Sequence, residues 1–212
     1  INDAPVFSSD AAGSVSENAE TSTVIYDGAA SDQDAGDTLT YSVSGTDADL
    51  VEIDSDDGEV RLKASANYES KASYSFVVSA TDSVGAITDQ SVTVSVTDVN
   101  EAPSVTSGAS ASIQENAVSS TVVYTVSSSD PDTDASASYS LSGTDADYFE
   151  VDATSGAVTL KASADYETRD SYAITVEVSD GTLTASQAVT VSVTDVNDAP
   201  VFSSGATGSV SE

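Results

Sequence analysis

A chain of 212 residues, 39% hydrophobic and with 12 glycines, lies at the low edge of the globular range and has room for one or two modest domains with lean cores. Five Lys and Arg against 36 Asp and Glu give a formal net charge of −31, a field that repels phosphate backbones and anionic headgroups and so excludes nucleic acid and membrane surfaces as partners. The absence of Cys and His excludes disulfides, thiolate- or imidazole-bound metals and catalysis by either residue, and no apolar run approaches the ~18 residues that cross a bilayer.

Two readings of the charge remain: solubility in salty water, or carboxylates that converge on divalent cations. No signal-peptide pattern precedes Ile1, so the chain is expected to be a soluble, mature or excised piece.

In chain order the sequence repeats itself. NDAP opens at Asn2, returns as NEAP at Asn100 and again as NDAP at Asn197, offsets of 98 and 97. SVSENA at Ser14 returns as SIQENA at Ser112, SGTDAD at Ser44 returns at Ser142, and LKASANYE at Leu62 returns as LKASADYE at Leu160. After Asn197, FSSGATGSVSE copies FSSDAAGSVSE of Phe7 to Glu17. The expected organisation is one repeat over 1–99, a second over 100–196, and the N-terminal stub of a third over 197–212.

Within each repeat the apolar residues alternate with period two, as in S-V-T-V-S-V from Ser91 to Val96 and A-V-T-V-S-V from Ala188 to Val193. Thr23 to Tyr26, Thr38 to Val43, Glu59 to Leu62 and Tyr74 to Val78 are also β-branched or aromatic, with Gly, Asp, Ser and Asn turns between them. Six or seven short strands per repeat and no helical apolar stripe predict an all-β chain of antiparallel β-sandwiches without long helices. Tyr41 and Tyr139, Tyr74 and Tyr172, and Phe76 and Ile174 are the predicted core pairs, while Tyr148, in the place of Leu50, is a candidate exposed aromatic.

Several acids recur at strand ends and junctions: Glu17 and Glu115, Asp32 and Asp34 with Asp130 and Asp132, Glu69 and Glu167, Asp82 and Asp180, and the junctions DVNEAP and DVNDAP. Calcium takes about 6 to 8 oxygen ligands from carboxylates, amides, carbonyls and water, and side chains freed at strand ends can converge to supply them.

Taken together these motifs resemble the cadherin repeat family over essentially the whole chain. The family's x-E-x signature is S-E-N at Glu17 and Q-E-N at Glu115, its D-x-D is Asp32-Gln33-Asp34 and Asp130-Pro131-Asp132, and its G-x-V turn starts at Gly58 and Gly156. Asp165-Tyr166-Glu167 matches L-D-[RY]-E, Ala80 to Gly85 matches A-x-D-x-x-G, and Asp98 to Pro103 and Asp195 to Pro200 are shortened linkers.

The resemblance implies two tandem Greek-key sandwiches of cadherin or Ig-like type, end to end, with up to three calcium ions between them. The ligands it implies for that joint are Glu17, Asn67, Glu69, Asp98, Asn100, Glu101, Asp130, Asp132 and Asp180. Half-sites would lie at Asn2, Asp3, Asp32, Asp34 and Asp82, and at Glu115, Asp165, Glu167, Asp195, Asn197 and Asp198. Two residues depart from the pattern: Asn67 stands where repeat 2 has Asp165, and Glu101 where it has Asp198. The seven carboxylates of the joint would repel one another by on the order of 10 kcal/mol unscreened in water.

Function is expected to be structural, with no enzyme activity. The chain would stiffen and extend a large secreted or cell-surface protein, such as a bacterial adhesin, in calcium-dependent adhesion. The alternative is a calcium-dependent module that binds polysaccharide or another copy of itself. The lack of Trp removes the tryptophan-anchored strand exchange of vertebrate cadherins. The acidic loop G-T-D-A-D at Gly45 and Gly143 falls outside the ligand set and reads as a solvated turn, or else as an extra cation site.

Overall fold

Serine and threonine alternating with valine and aromatics give strands with one apolar and one hydroxylated face, and the computed structural model, which describes residues 2–34, 36–132 and 136–200, packs the apolar faces together. The chain divides into two compact units, Ile1–Asn100 and Glu101–Glu212. The stub expected at 197–212 lies, from residue 201 on, outside the described residues.

The first unit contains β1 (Val6–Phe7), β2 (Ala12–Ser16), β3 (Val24–Asp27), β4 (Ala30–Ser31), β5 (Thr40–Ser44), β6 (Val51–Ile53), β7 (Glu59–Leu62), β8 (Ser73–Thr81) and β9 (Ile87–Thr97). One sheet has the order β2-β9-β8-β5, the other β3-β7-β6, and β1 pairs with β4. The two-residue segments β1 and β4 are too short to carry an alternation, which is why the sequence suggested fewer strands. Among the described residues of this unit the pairings are antiparallel except β2 with β9, which run parallel with Val15 opposite Val96.

The long hairpin β8–β9 shows how the pattern becomes a core. Tyr74, Phe76, Val78 and Ala80 point inward from β8 and Val92, Val94 and Val96 from β9, with Tyr74 opposite Val94 and Phe76 opposite Val92. Val15, Ile25, Tyr26, Tyr41, Val51, Val60, Leu62 and Ala66 complete the cluster. Each such side chain contributes roughly 1.5–3 kcal/mol when fully buried, set against the entropy of ordering it. The predicted core residues Tyr41, Tyr74 and Phe76 are all buried. Tyr26 joins them edge-on to Phe76 with ring centroids 6.3 Å apart.

The second unit repeats the plan with β10 (Ser104–Val105), β11 (Ser110–Gln114), β12 (Val122–Thr125), β13 (Ser128–Ser129), β14 (Ser138–Ser142), β15 (Phe149–Val151), β16 (Ala157–Leu160), β17 (Ser171–Ser179) and β18 (Thr184–Thr194). Its sheets are β11-β18-β17-β14 and β12-β16-β15, again with a parallel pair, β11 with β18. Tyr172 and Ile174 are buried in its core, and Tyr139 is half-buried against it. Among the described residues the helical elements are single 3-10 turns, Ala48–Leu50 and Ala146–Tyr148.

The G-x-V turn has a steric basis. Gly156 sits at φ +69, and a Cβ there would come within 2.5 Å of the Val126 carbonyl oxygen. Gly181, at φ +102, faces open space. Gly156→Ala should therefore cost the second unit about 1–3 kcal/mol, from both backbone conformation and collision. Gly181→Ala should cost only the roughly 1–2 kcal/mol of the left-handed conformation. Thermal melts of the two variants in chelator check the order.

Candidate metal centres

Each unit gathers its acids at two places. At the first, strand β2 ends at Ser16 and the next residue, Glu17, is nearly inaccessible, 3% exposed. The chain turns at once because Asn18 takes a left-handed conformation, φ 58, one that Asn tolerates better than other side chains with a Cβ. That turn aims the Glu17 carboxylate inward. Its Oε2 accepts the N–H of Tyr68 at 2.9 Å and its Oε1 the N–H of Val99 at 2.7 Å. One carboxylate thus ties the end of β2, the N-Y-E turn and the segment after β9.

Glu115 does the same work in the second unit. It is 4% exposed, follows β11, precedes a left-handed Asn116 (φ 62), and accepts Tyr166 N–H at 2.9 Å and Val196 N–H at 2.6 Å. These backbone donors hold both carboxyls below the ordinary carboxylate range, Tyr68 and then Val99 for Glu17, Val196 and then Tyr166 for Glu115.

Further carboxylates converge on each. Glu17, Glu69 and Asp98 each present an oxygen within 4.8 Å of the others, and so do Glu115, Glu167 and Asp198. The two triplets are not copies: the first takes Asp98, whereas the second takes Asp198 rather than Asp195, the sequence counterpart of Asp98. Glu167 is pushed up. Its own backbone N–H favours the charged form, but desolvation and the charges of Glu115, Asp195 and Asp198 outweigh that bond.

Asn67 and Asp165 cap the turns that carry Glu69 and Glu167. The Asn67 Oδ1 accepts Ser70 N–H at 2.7 Å, and the Asp165 Oδ1 accepts Thr168 N–H at 3.0 Å. Asp165 keeps a second oxygen for a cation, whereas the remaining polar atom of Asn67 is an NH₂ donor.

The second gathering place lies around D-x-D. Asp34 N–H donates to Asp32 Oδ1 at 2.8 Å, and Asp34 Oδ2 accepts Asp3 N–H at 2.8 Å. Asp82 is buried: its Oδ1 receives the N–H groups of Val84, Gly85 and Ala86, and its Oδ2 the amide of Asn2 at 2.7 Å. The Asn2 amide first, with those backbone donors, keeps the Asp82 carboxyl low against its desolvation.

In the second unit Asp132 N–H donates to Asp130 Oδ1 at 3.0 Å, Glu101 N–H to Asp132 Oδ2 at 2.8 Å, and Asp180 Oδ1 receives Thr182 and Leu183 N–H. One further oxygen in each D-x-D motif, Asp32 Oδ2 and Asp132 Oδ1, is shielded from water without a hydrogen bond. Such an atom is costly unless a cation meets it.

The triplet that includes Asp32 and Asp82 takes Asp37 as its third member, not Asp34. Sequence reasoning missed Asp37 because its position in the second repeat is Ala135 and periodicity gave no signal. Glu17, Glu69, Asp98, Asp32, Asp82, Glu115, Glu167 and Asp198 are brought together within their units. Asn197 bonds its own neighbour, the Asp198 carbonyl oxygen, at 3.3 Å. Asp195 acts on Glu167 by its charge but stays out of the triplet. Asn100 lies in the irregular linker after β9.

The solvated-turn reading of G-T-D-A-D is corrected. Asp49 and Asp147 are exposed as expected, but Asp47 and Asp145 are buried, 7% exposed each. Asp47 pairs with Lys71 Nζ at 2.9 Å and Asp145 with Arg169, so a cation from the chain itself already occupies that position.

Oxygen-only donors, orphaned carboxylate oxygens and crowded like charges fit a hard cation of calcium type. Comparison with known proteins agrees with this chemistry. Residues 11–97 and 109–194 each match the family profile described as Cadherin domain. The chain belongs to the cadherin family.

It is 35% identical over 224 aligned positions to protocadherin Fat 4 of Mus musculus, covering 97% of this chain and 4% of that protein. To human cadherin-23 it is 31% identical over 198 positions, covering 89% of this chain and 6% of that protein. The chain therefore spans only a small part of these relatives. Among solved structures, mouse cadherin-23 EC22-24 superposes with a TM-score of 0.65 at 26% identity, over 91% of this chain and 65% of that one. Human protocadherin-24 EC1-2 superposes at 0.74 over 92% of this chain and 100% of that one, and at 24% identity it speaks for the cadherin fold alone. These are animal proteins, and the expectation of a bacterial adhesin receives no support from them.

The opposed shifts of Glu115 and Glu167 give the cadherin repeats a testable pH signature without calcium. Glu115, with its carboxyl held low, stabilises the second unit above the ordinary carboxylate range, and this contribution is lost as pH falls through its depressed folded value. Glu167, with its carboxyl raised, costs stability as pH rises through its folded value. Glu167→Gln should thus raise the melting temperature in chelator at pH 7, with the gain vanishing below pH 4. Glu115→Gln should lower it at pH 7. Melts of both variants from pH 7 to pH 3 test the pair.

Proposed function

We propose that the two units are consecutive repeats of a larger secreted or cell-surface protein, and that calcium bound at their joint stiffens the array for calcium-dependent adhesion. The observation that carries this reading is the Glu17 and Glu115 arrangement. In both units a buried carboxylate grips the segment leading out of the repeat, Val99 or Val196, within 4.8 Å of two more carboxylates. An acid at that position binds the linker to the repeat and asks for a cation there.

The joint would draw on Glu17, Asn67 and Glu69, on Asp98, Asn100 and Glu101 of the linker, and on Asp130, Asp132 and Asp180, with up to three ions. Bound calcium would supply charge neutralisation and shared coordination. The protein's part is to hold the carboxylates through backbone N–H groups, so that little reorganisation accompanies binding. Asn2, Asp3, Asp32, Asp34 and Asp82, and Glu115, Asp165, Glu167, Asp195, Asn197 and Asp198, would complete joints with neighbouring repeats of the same protein.

The polysaccharide alternative lacks an observation of its own. Tyr148 is exposed, but the Arg169 guanidinium lies over its ring at 4.9 Å and Tyr172 packs at 5.4 Å, so the platform is taken up within the unit. Among the described residues no helix is long and apolar enough to cross a membrane.

Small-angle scattering of the chain should give a larger maximum dimension in millimolar calcium than in chelator, and the melting temperature should rise with calcium. Equal values in both conditions would overturn the stiffening reading. Asn67→Asp restores a charge and a second oxygen, and should tighten calcium binding by about fivefold on a Coulomb gain of roughly 1 kcal/mol. Calorimetric titration measures it.

A further inference from the structure

Among the described residues five acids are buried: Glu17, Asp82 and Glu115, which belong to the gathering places described above, and Asp47 and Asp145, which do not. The last two occupy the same place in each repeat, directly before the 3-10 turn, and their bonds are the same. Asp47 Oδ2 accepts Ser75 N–H at 2.7 Å while its own N–H donates to the Ser75 carbonyl at 3.1 Å, and Asp145 does both with Ala173 at 2.7 and 3.1 Å. Each aspartate is thereby fixed to the start of the longest hairpin in its unit. Its other oxygen takes Lys71 or Arg169.

Those bases end the turns that carry metal-ligand candidates. Lys71 N–H donates to the Asn67 carbonyl at 3.0 Å and Arg169 N–H to the Asp165 carbonyl at 2.9 Å, closing five-residue turns. The first turn holds Glu69 and the Tyr68 N–H that Glu17 accepts, and the second holds Glu167 and the Tyr166 N–H that Glu115 accepts. The ammonium of Lys71 also lies 5.5 Å from the centre of the Tyr74 ring, and Arg169 lies over Tyr148 and Tyr172 at 4.9 and 5.3 Å. A chain of contacts thus runs from the hairpin through an ion pair, its aspartate buried and its base partly exposed, to the turn that carries Glu69 or Glu167. Two of the five bases in the sequence are committed to it.

We propose that Asp47 with Lys71, and Asp145 with Arg169, are positioning pairs that hold the ligand-bearing turn in register with Glu17 or Glu115. This rests on the calcium reading above. The pair acts through the turn that its base closes. When it is removed, the turn stays closed by its backbone bond but loses its anchor to the hairpin. Tyr68 N–H and Glu69 then no longer meet Glu17 in a fixed geometry. Partners that orient metal ligands at one remove characteristically change affinity without contacting the ion.

The test uses the whole chain with Lys71→Met, Asp47→Asn and the conservative Lys71→Arg. Asp47→Asn keeps an acceptor for Ser75 N–H, so it reads out the lost ion pair even where Lys71→Met destabilises the unit. Calcium affinity by calorimetry should fall about tenfold for Lys71→Met and Asp47→Asn, and Lys71→Arg should restore it to within about twofold. In chelator, amide exchange at Tyr68 should accelerate in the first two variants while Val78 and Val94 in the core stay protected.

Unchanged affinity with unchanged Tyr68 exchange would overturn the proposal. So would uniform acceleration across the unit, which marks a merely structural pair. If the unmodified chain takes up no calcium, the calcium reading fails, and Tyr68 exchange alone decides whether the pair positions the turn.

Discussion

A single carboxylate holding two backbone N–H groups organises each repeat at its foot. Glu17 is reached by Tyr68 and Val99, residues far from it and from each other in sequence, and neither segment has a ladder partner there to satisfy its amide. Replacing ladder bonds by bonds to a charged acceptor strengthens them, since charge-assisted hydrogen bonds are roughly twice as strong as neutral ones. It also concentrates negative charge at the point where the chain leaves the sandwich. The crowding of Glu69 and Asp98, and of Glu167 and Asp198, follows from the geometry this clamp imposes. Calcium affinity and the path of the linker would therefore share one physical origin.

The strands were legible because alternation is a strong signal in a chain this rich in Ser, Thr and Val, and the repeat offset doubled it. The clamp acids were legible as recurring Glu residues, although their burial was not. A buried glutamate and an exposed one look alike in sequence, and only the backbone donors of residues 51 and 82 positions away distinguish them. Asp37 was illegible for a different reason. It belongs to one repeat only, so a reading built on recurrence passes over it.

G-T-D-A-D shows the opposite failure. Recurrence flagged the loop correctly, but composition suggested water as its partner. The buried aspartates find a backbone N–H and a base instead, and the base comes from the ligand-bearing turn. In a chain with five bases, the placement of four of them is informative. Arg61 pairs with Glu59 of its own strand and Lys63 Nζ reaches the Asp49 carbonyl, while Lys71 and Arg169 go to buried acids.

That placement separates two kinds of negative charge. Acids that must stay fixed whatever the calcium level, Asp47 and Asp145, are given a permanent cation from the chain. Acids whose charge would make the joint responsive are instead given backbone N–H groups, which orient a carboxylate without cancelling its charge. The distinction matters because a base bonded to Glu17 would cancel the charge that an external cation would otherwise meet. Glu167, whose own backbone N–H favours the charged form but which desolvation and the charges of Glu115, Asp195 and Asp198 raise, stays crowded by like charge in the folded unit. The few bases and the many acids are thus two parts of one device: a repeat whose interior is electrostatically settled and whose ends are not.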